Sequence, residues 1–337
     1  MYGSFSSLDE LWQGSLEYVL KFGKTHDGRK TWGKKGARTK EVLGPVLRLT
    51  NIYANLLCHA GRLASPIYAA GEFLWYLNPD SPGDQICYYA PSYKRFIEPE
   101  GHAHGGYGRR IRMDNQLFKI IGLLRAQPET RQAIMSIWRP HLDIGPTLAG
   151  TKLDIPCTIA LQFLVRDGQL NCICTMRSND IWLGLPYDIF CWTTLQHIIA
   201  GAVGIPVGFY QHQAGSLHLY ERDWKKAQEA AGIGASPLNF HFEDDVDEYY
   251  AESIVEAKRI EQELRKLDIL NEGCFRLIKN KFGAGSRWGF LLALCLLNSS
   301  DDLSKESLEM ANVLIPEIPL TMALVIRKQR AEREAAK

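Results

Sequence analysis

The stretch from Asp154 to Asp188 constrains the fold of this chain most, because it contains two strand patterns joined by a tight turn. Within the first strand pattern, successive side chains point to opposite faces of a sheet, so Leu161, Phe163 and Val165 share one face. Asp167-Gly168 follows, a pair typical of two-residue hairpin turns. A second strand pattern runs from Gln169 to Met176. The sequence therefore predicts a β-hairpin.

Polar residues at the end of this hairpin indicate a functional site. The run Arg177-Ser178-Asn179-Asp180 places a cation, a hydroxyl, an amide and a carboxylate side by side. Leu183-Gly184-Leu185-Pro186 then leads into an apolar helix pattern, and Pro156-Cys157 precedes the hairpin. Four kinds of polar side chain thus stand together in one short run that follows Cys157.

In these motifs the chain resembles the thymidylate synthase family. The family's nucleophile motif corresponds to Pro156-Cys157 with Gln162-Phe163, and its phosphate motif to Arg177-Ser178-Asn179-Asp180. Its base-reading motif corresponds to Leu183–Asp188, with Asp188 in place of Asn, and Thr158 stands where a His is usual. Both departures resemble the branch that hydroxymethylates cytidylates. The resemblance covers roughly residues 30 to 225. It implies an α+β (mixed α/β) fold, a large twisted sheet packed with helices.

The resemblance implies a catalytic role for Cys157, Glu72 and Tyr107, with Thr158 as a further candidate. Glu72 interrupts an apolar helix pattern over residues 66–77. An unpaired carboxylate among such apolar groups is costly to bury in its ionised form. The resemblance implies that Glu72 relays protons to the base, and we expect Glu72 and Thr158 to order the water that reacts.

The resemblance also implies contacts to a nucleotide and to a folate. It assigns Asp188 and Gln162 to the base; Arg177, Ser178, Arg131 and either Lys34 or Arg38 to the phosphate; His218 and Tyr220 to the sugar; and Asp180, Leu183 and Gly184 to the folate. Arg131 would reach the phosphate across the interface of a homodimer. The second arginine of the family's pair is Gln132 in this chain, and Ser216 replaces a family Asp.

The implied reaction begins with a thiolate. Addition of the Cys157 thiolate to C6 of a pyrimidine makes C5 nucleophilic toward 5,10-methylenetetrahydrofolate, and a nearby cation such as Arg177 favours the thiolate. Water would then convert the exocyclic methylene into hydroxymethyl. A protonated Asp188 complements cytosine, because it donates to N3 and accepts from N4, whereas Asn complements uracil. We therefore predict hydroxymethylation of dCMP, favoured over CMP.

Two other functions remain open at this point. One is a methylating enzyme of the thymidylate synthase type, acting on dUMP or dCMP. The other is a catalytically silent nucleotide-binding or RNA-binding protein with the same fold. A methylating enzyme would release dihydrofolate instead of tetrahydrofolate. A silent binding protein would not exchange the hydrogen at C5 of the pyrimidine.

Composition limits the classes of binding partner and the cellular compartment that are expected. The 39 basic and 38 acidic side chains give a net charge of +1, so neither a nucleic-acid polymer nor a membrane surface is expected as a partner. Eight cysteines without a signal-peptide pattern indicate a reducing, cytoplasmic location. Cys172 and Cys174 share a strand face without further ligands, so we expect small buried residues rather than a metal site.

Apolar periodicity predicts the remaining elements and the domain division. Helices are expected over residues 8–22, 66–77, 114–126, 189–202, 251–267 and 304–314, and strands over 46–50 and 207–212. No family motif follows residue 245. We therefore predict a catalytic domain over residues 1–244 and a helical C-terminal extension over residues 245–337.

Overall fold

The computed structural model describes residues 2–27, 37–152, 154–235, 247, 249–267, 272–283, 285–298 and 305–315. Its strands are β1 Tyr2–Phe5, β2 Lys24–His26, β3 Thr39–Leu43, β4 Val46–Leu49, β5 Ile134–Ser136, β6 Thr158–Arg166, β7 Gln169–Met176, β8 Asn179–Asp180, β9 Val207–Ala214 and β10 Ser216–Tyr220. Its α-helices are α1 Leu8–Phe22, α2 Pro66–Tyr76, α3 Gly83–Tyr89, α4 Tyr107–Arg112, α5 Gln116–Ala126, α6 Pro140–Ala149, α7 Leu185–Val203, α8 Trp224–Ala231, α9 Tyr250–Leu264, α10 Glu272–Phe282, α11 Arg287–Leu296 and α12 Lys305–Leu314. The α+β prediction is confirmed.

Two mixed sheets form the framework. The first has six strands in the order β1-β4-β9-β7-β6-β5, and the second has four in the order β2-β3-β10-β8. The chain passes from β7 in the first sheet to β8 in the second, where Leu217 pairs with Asn179 and His218 with Asp180. This crossing brings the polar run at the end of the hairpin beside β10.

The predicted hairpin is present as β6 and β7. Both turn residues, Asp167 (φ 53°) and Gly168 (φ 72°), adopt the left-handed conformation that a tight hairpin turn requires. Leu161 and Phe163 are fully buried, as the alternation predicted. A bulge between Thr158 and Ala160 interrupts the ladder beside Cys157.

The two longest predicted helices before residue 245 are also present. Ser7 caps α1 by accepting a hydrogen bond from the Glu10 backbone N–H at 3.2 Å, and α7 ends at Gly204, whose φ is +82°. Nearly every residue of α7 is buried, which explains why its apolar pattern shows no polar face. The predicted start of α5 at residue 114 is wrong, because Asp114 and Asn115 have positive φ and the helix begins at Gln116.

The C-terminal helices pack onto the helix that carries Glu72. Helix α11 contacts both α2 and α9, and its apolar side chains belong to the same hydrophobic cluster as α2. Along the described ranges, no helix is long and apolar enough to cross a membrane. The predicted boundary between residues 244 and 245 lies outside the described residues.

Gly108 allows α4 to approach the end of α2, and we expect its replacement to be destabilising. A Cβ at this position would lie 2.1 Å from the Asn78 carbonyl oxygen and 2.8 Å from the Trp75 carbonyl oxygen. Because backbone atoms cannot move aside easily, Gly108→Ala should lower the free energy of unfolding by about 3 kcal/mol. Urea unfolding followed by circular dichroism measures this loss.

Gly122 in α5 provides the matched control, since a Cβ there would meet open space. Gly122→Ala should raise stability by about 0.5–1 kcal/mol, the usual gain for alanine over glycine in a helix. Equal urea midpoints for the two variants would contradict the packing argument.

Candidate active site

A cavity of about 1100 Å³ opens beside the end of the hairpin. It is bounded by α2, the start of α7, the segment before β6 and the ends of β7, β8 and β10. Eleven of the sixteen predicted site residues line it: Glu72, Tyr107, Cys157, Arg177, Ser178, Asp180, Leu183, Gly184, Asp188, His218 and Tyr220. Segments that are far apart in sequence therefore meet at one concave site.

The Cys157 thiol is held against a cation. Arg177 Nη2 lies 3.4 Å from Cys157 Sγ, and Ser178 Oγ lies 3.9 Å from it. Arg177 is itself fixed by hydrogen bonds to the Ile155 and Pro156 carbonyls, each at 2.9 Å. Burial raises the pKa of the Cys157 thiol above its ordinary value, and Arg177 opposes that rise. The arginine is thus aimed at the sulfur, although desolvation is the larger effect on this pKa.

Glu72 is a buried carboxyl in the cavity wall. Tyr68 donates its hydroxyl to Glu72 Oε1 at 2.8 Å, and Oε2 has no hydrogen-bond partner among the described residues. Burial, then the nearby Asp188, raises the pKa of Glu72 to about 8. Glu72 is therefore largely protonated at neutral pH and is suited to donate a proton.

Asp188 lies on the first turn of α7. Its Oδ2 accepts a hydrogen bond of 2.7 Å from Asn179 Nδ2. Burial raises the pKa of Asp188 to about 7, and the bond from Asn179 opposes this rise. The protonated and ionised carboxyl are therefore both populated near neutral pH.

Tyr107 lines the cavity, and Thr158 interacts with it from behind the wall. The Thr158 backbone N–H and hydroxyl donate to the Tyr107 hydroxyl at 3.2 and 3.1 Å, and the Tyr107 ring stacks on Trp192 at 5.3 Å. Thr158 is fully buried and does not line the cavity. Its proposed part in ordering water is therefore corrected: its hydroxyl is committed to Tyr107.

The remaining polar wall is formed by β8 and β10. His218 and Tyr220 share one face of β10, with ring centroids 5.1 Å apart. Asp180 Oδ1 accepts from the Trp182 backbone N–H at 2.8 Å. Ser216, which replaces a family Asp, donates to Glu41 of β3. A carboxylate is thus supplied at this place by another strand, which no local motif indicated.

Three predicted binding residues lie away from the cavity in this chain, and Lys34 lies outside the described residues. Gln162 does not line the cavity, and its side-chain amide donates to the Arg131 backbone carbonyl at 2.9 Å. Arg131 is exposed near the edge strand. Arg38 is held by Asp27 at 2.9 Å and Glu221 at 2.7 Å, so Arg38 is not available to a phosphate in this arrangement.

Several cavity residues were not identified by sequence reasoning. Tyr68 and Asn179 orient the two buried carboxyls described above, and Asp154 contributes a further carboxyl to the cavity. Aromatic side chains form an apolar wall: Trp75, Tyr93, Phe96 and Trp182. Such a wall suits a flat heteroaromatic ligand. In the described ranges no cluster of three or more His, Cys, Asp or Glu side chains is arranged to hold a metal ion.

We expect Glu72→Gln to remove part of the pH dependence of folding stability. The pKa of Glu72 is raised in the folded state to about 8, so the folded protein binds this proton more tightly than the unfolded chain does. Wild-type stability should therefore fall as pH rises from about 4.5 through 8. Each pKa unit corresponds to about 1.4 kcal/mol, so the variant should gain several kcal/mol relative to wild type by pH 9. Chemical denaturation between pH 5 and 9 measures the difference.

Glu129→Gln is the control for this series, because the Glu129 side chain is 85% exposed. Its stability profile should follow that of the wild type. If the Glu72→Gln profile also ran parallel to the wild type, the carboxyl would not carry a raised pKa.

Comparison with known proteins points to one family. The sequence matches thymidylate synthase over residues 12–249. A deoxyuridylate hydroxymethyltransferase of Pseudomonas phage M6 is 28% identical over 217 residues, 60% of this chain and 61% of the relative. The thymidylate synthases of Listeria monocytogenes serotype 4a (strain HCC23) and Listeria innocua serovar 6a are each 38% identical over 115 residues, 34% of this chain and 35% of each relative. The chain thus spans less than two thirds of the length of these relatives.

Proposed function

We propose that this chain, which belongs to the thymidylate synthase family, transfers a one-carbon unit to C5 of a cytidine monophosphate as a hydroxymethyl group. The co-substrates are 5,10-methylenetetrahydrofolate and water, and the products are 5-hydroxymethyl-dCMP, or 5-hydroxymethyl-CMP, and tetrahydrofolate. dCMP is the favoured substrate. The observation that carries this proposal is a buried acid, Asp188, in the wall of the cavity that also holds Cys157.

The chemistry of Asp188 supports cytosine as the base. With a pKa of about 7, raised by burial, Asp188 is partly protonated at neutral pH. Its protonated oxygen donates to cytosine N3, and its other oxygen, Oδ2, accepts from the N4 amino group with the lone pair that Asn179 leaves free. Uracil presents N3–H and O4 instead, so it would leave a buried polar group unpaired, at a cost of about 1–3 kcal/mol.

The surroundings of Cys157 support a nucleophilic role. The thiol lies in the cavity wall within 3.4 Å of the Arg177 guanidinium, and a thiolate beside a cation is a competent nucleophile. Addition to C6 breaks the conjugation of the ring and makes C5 nucleophilic. Arg177 and Ser178 are also our candidates for the phosphate, where arginine suits a phosphate monoester. Arg131 of a second subunit would complete that contact in a homodimer, as the resemblance implied.

Glu72, Tyr107 and Asp180 complete the proposed mechanism. Glu72, protonated near neutrality because burial raises its pKa to about 8, supplies protons to the base. Burial also keeps the pKa of the Tyr107 phenol well above its usual value, so Tyr107 remains a hydrogen-bond donor beside the nucleophile. Asp180 faces the cavity at the place that we assign to the pterin, next to Leu183 and Gly184.

One further finding favours the addition of water to the exocyclic methylene over methylation. The phage relative is a hydroxymethyltransferase, although its named substrate is deoxyuridylate. The Listeria relatives are thymidylate synthases, so methylation of dUMP or dCMP is the second candidate. The eight cysteines are all free thiols, which fits the reducing cytoplasm where we place the protein.

Product analysis tests the proposal. The purified chain is incubated with dCMP, CMP or dUMP and methylenetetrahydrofolate, and nucleotide products are identified by mass spectrometry. We expect a hydroxymethyl nucleotide and tetrahydrofolate, with dCMP the best substrate. A methyl nucleotide with dihydrofolate would establish the methylating alternative. Failure to exchange tritium from C5 of any of these nucleotides would instead support a silent binding protein.

A further inference from the structure

One acid in the cavity has no role in the mechanism above. Asp154 lies three residues before Cys157 and lines the cavity. Its Oδ2 is buried and has no hydrogen-bond partner within the described part of the chain. A buried acceptor without a partner costs stability, so an unpaired carboxylate oxygen beside the nucleophile calls for a functional explanation.

The backbone of Gly105 fixes the position of Asp154. A Cβ at position 105 would lie 2.7 Å from the Asp154 carbonyl oxygen and 2.9 Å from Oδ2, so only glycine permits this close approach. The Gly105 backbone N–H also hydrogen-bonds the Asp154 carboxyl. The carboxyl is therefore held in place, with one oxygen left without a donor.

Three of the four acids that line the cavity, Glu72, Asp154 and Asp188, have different environments. Glu72 Oε1 accepts from Tyr68 at 2.8 Å and Asp188 Oδ2 accepts from Asn179 at 2.7 Å, whereas the carboxyl of Asp154 is contacted by a backbone N–H, that of Gly105. Glu72 Oε2 and Asp154 Oδ2 both lack a hydrogen-bond partner among the described residues. Burial raises the pKa of all three, to about 8 for Glu72, about 7 for Asp188 and about 6 for Asp154. Environments that separate the pKa values of neighbouring acids divide the acid and base roles between them. Asp154 has the lowest of these three pKa values and is therefore the most ionised of the three at neutral pH.

The water-ordering role predicted for Thr158 also needs another group. The Thr158 hydroxyl donates to Tyr107 and does not line the cavity. Glu72 is mostly protonated near neutrality because burial raises its pKa, so it is a poor acceptor for a proton from water. Asp154 lines the cavity, and its charge acts on the Cys157 thiol, whose pKa it helps to raise, so it faces the sulfur that would carry the covalently bound base.

We propose that Asp154 is the general base that deprotonates the water attacking the exocyclic methylene. This inference rests on the proposed hydroxymethylase function. The water oxygen bonds to the methylene carbon, and its proton passes to Asp154. The π pair of the exocyclic bond moves into the ring and forms C4=C5, displacing the C4=N3 pair onto N3.

The thiolate then leaves and the ring is restored. The pair on N3 re-forms C4=N3, the C4=C5 pair becomes C5=C6, and the C6–S bond breaks with its electrons on Cys157. Asp154 releases its proton to solvent. The step consumes one water and needs no oxidant or reductant.

Asp154→Asn separates this step from those before it. Exchange of tritium at C5 of dCMP without folate requires addition of Cys157 but not hydration. We expect the variant to exchange tritium within about twofold of wild type, while hydroxymethyl formation falls about 100-fold, a usual loss for a general base. Added 2-mercaptoethanol, whose thiolate attacks without this base, should trap the methylene as a thioether.

Asp80→Asn is the matched control, because Asp80 is exposed and does not line the cavity. Its rates should equal those of wild type. If Asp154→Asn formed the hydroxymethyl nucleotide at the wild-type rate, the assignment would be overturned. It would also be overturned if the variant lost both tritium exchange and the hydroxymethyl product, because that loss would be structural. Absence of the hydroxymethyl product from the wild type would instead overturn the proposed function itself.

Discussion

Cys157→Ala is expected to abolish turnover, with a loss of about four orders of magnitude or more. Without the sulfur no group can saturate C6, so C5 stays conjugated and does not attack the one-carbon unit. Exchange of tritium at C5 should disappear as well, because it depends on the same addition. Product formation and tritium release, measured together with and without folate, check both expectations.

Nucleotide binding distinguishes a lost nucleophile from a lost site. Arg177 and Ser178 stay in place in the variant, since Arg177 is anchored mainly by the Ile155 and Pro156 carbonyls. The dissociation constant for dCMP, measured by calorimetry, should therefore remain within a fewfold of wild type. Cys87→Ala is the control, because Cys87 does not line the cavity. Turnover by Cys157→Ala near the control rate would exclude covalent catalysis by this thiol.

Asp188→Asn should transfer base preference from cytidylates to uridylates. An amide offers a fixed donor and acceptor that match N3–H and O4 of uracil, and it loses the proton that the carboxyl donates to cytosine N3. One unpaired buried group costs about 1–3 kcal/mol, so the ratio of kcat/KM for dCMP over dUMP should fall at least about tenfold to a hundredfold. Competition between the two nucleotides in one reaction measures this ratio directly.

The Asp80→Asn variant should leave this ratio unchanged, since its side chain lies outside the cavity. In Asp188→Asn the amide nitrogen that faces uracil O4 takes the place of Oδ2, next to Asn179. If the Asn179 amide turns over, its Oδ1, which has no partner among the described residues, accepts from that nitrogen, so the side chain should keep its position. An unaltered preference for dCMP in that variant would show that the base is recognised by other groups.

The sequence predicted the hairpin well, because its signals are local. Alternating side chains and the Asp167-Gly168 turn specify β6 and β7 without reference to the rest of the chain. The same is true of α1, whose capping serine and apolar stripe lie within a few residues of each other. Shorter helices such as α3, α4 and α8 carried too few residues to give a clear period.

Roles inferred from motifs were less reliable where a residue distant in sequence forms a hydrogen bond with the predicted side chain. Arg38 was a phosphate candidate, but Asp27 and Glu221 hold it, and Glu221 is far away in sequence. Thr158 on β6 was a water-ordering candidate, but its hydroxyl donates to Tyr107 of helix α4. Nothing local to Arg38 or Thr158 predicts these contacts.

The sequence by itself determined the order of the strands and helices around Cys157 and the kinds of side chain available to it, because periodicity, turns and caps depend on near neighbours. The tertiary structure decided which carboxyls became buried side by side: Glu72, Asp154 and Asp188 come from separate segments and meet in one cavity. Their raised pKa values arise from that shared desolvation, which results only when distant segments pack together and exclude water.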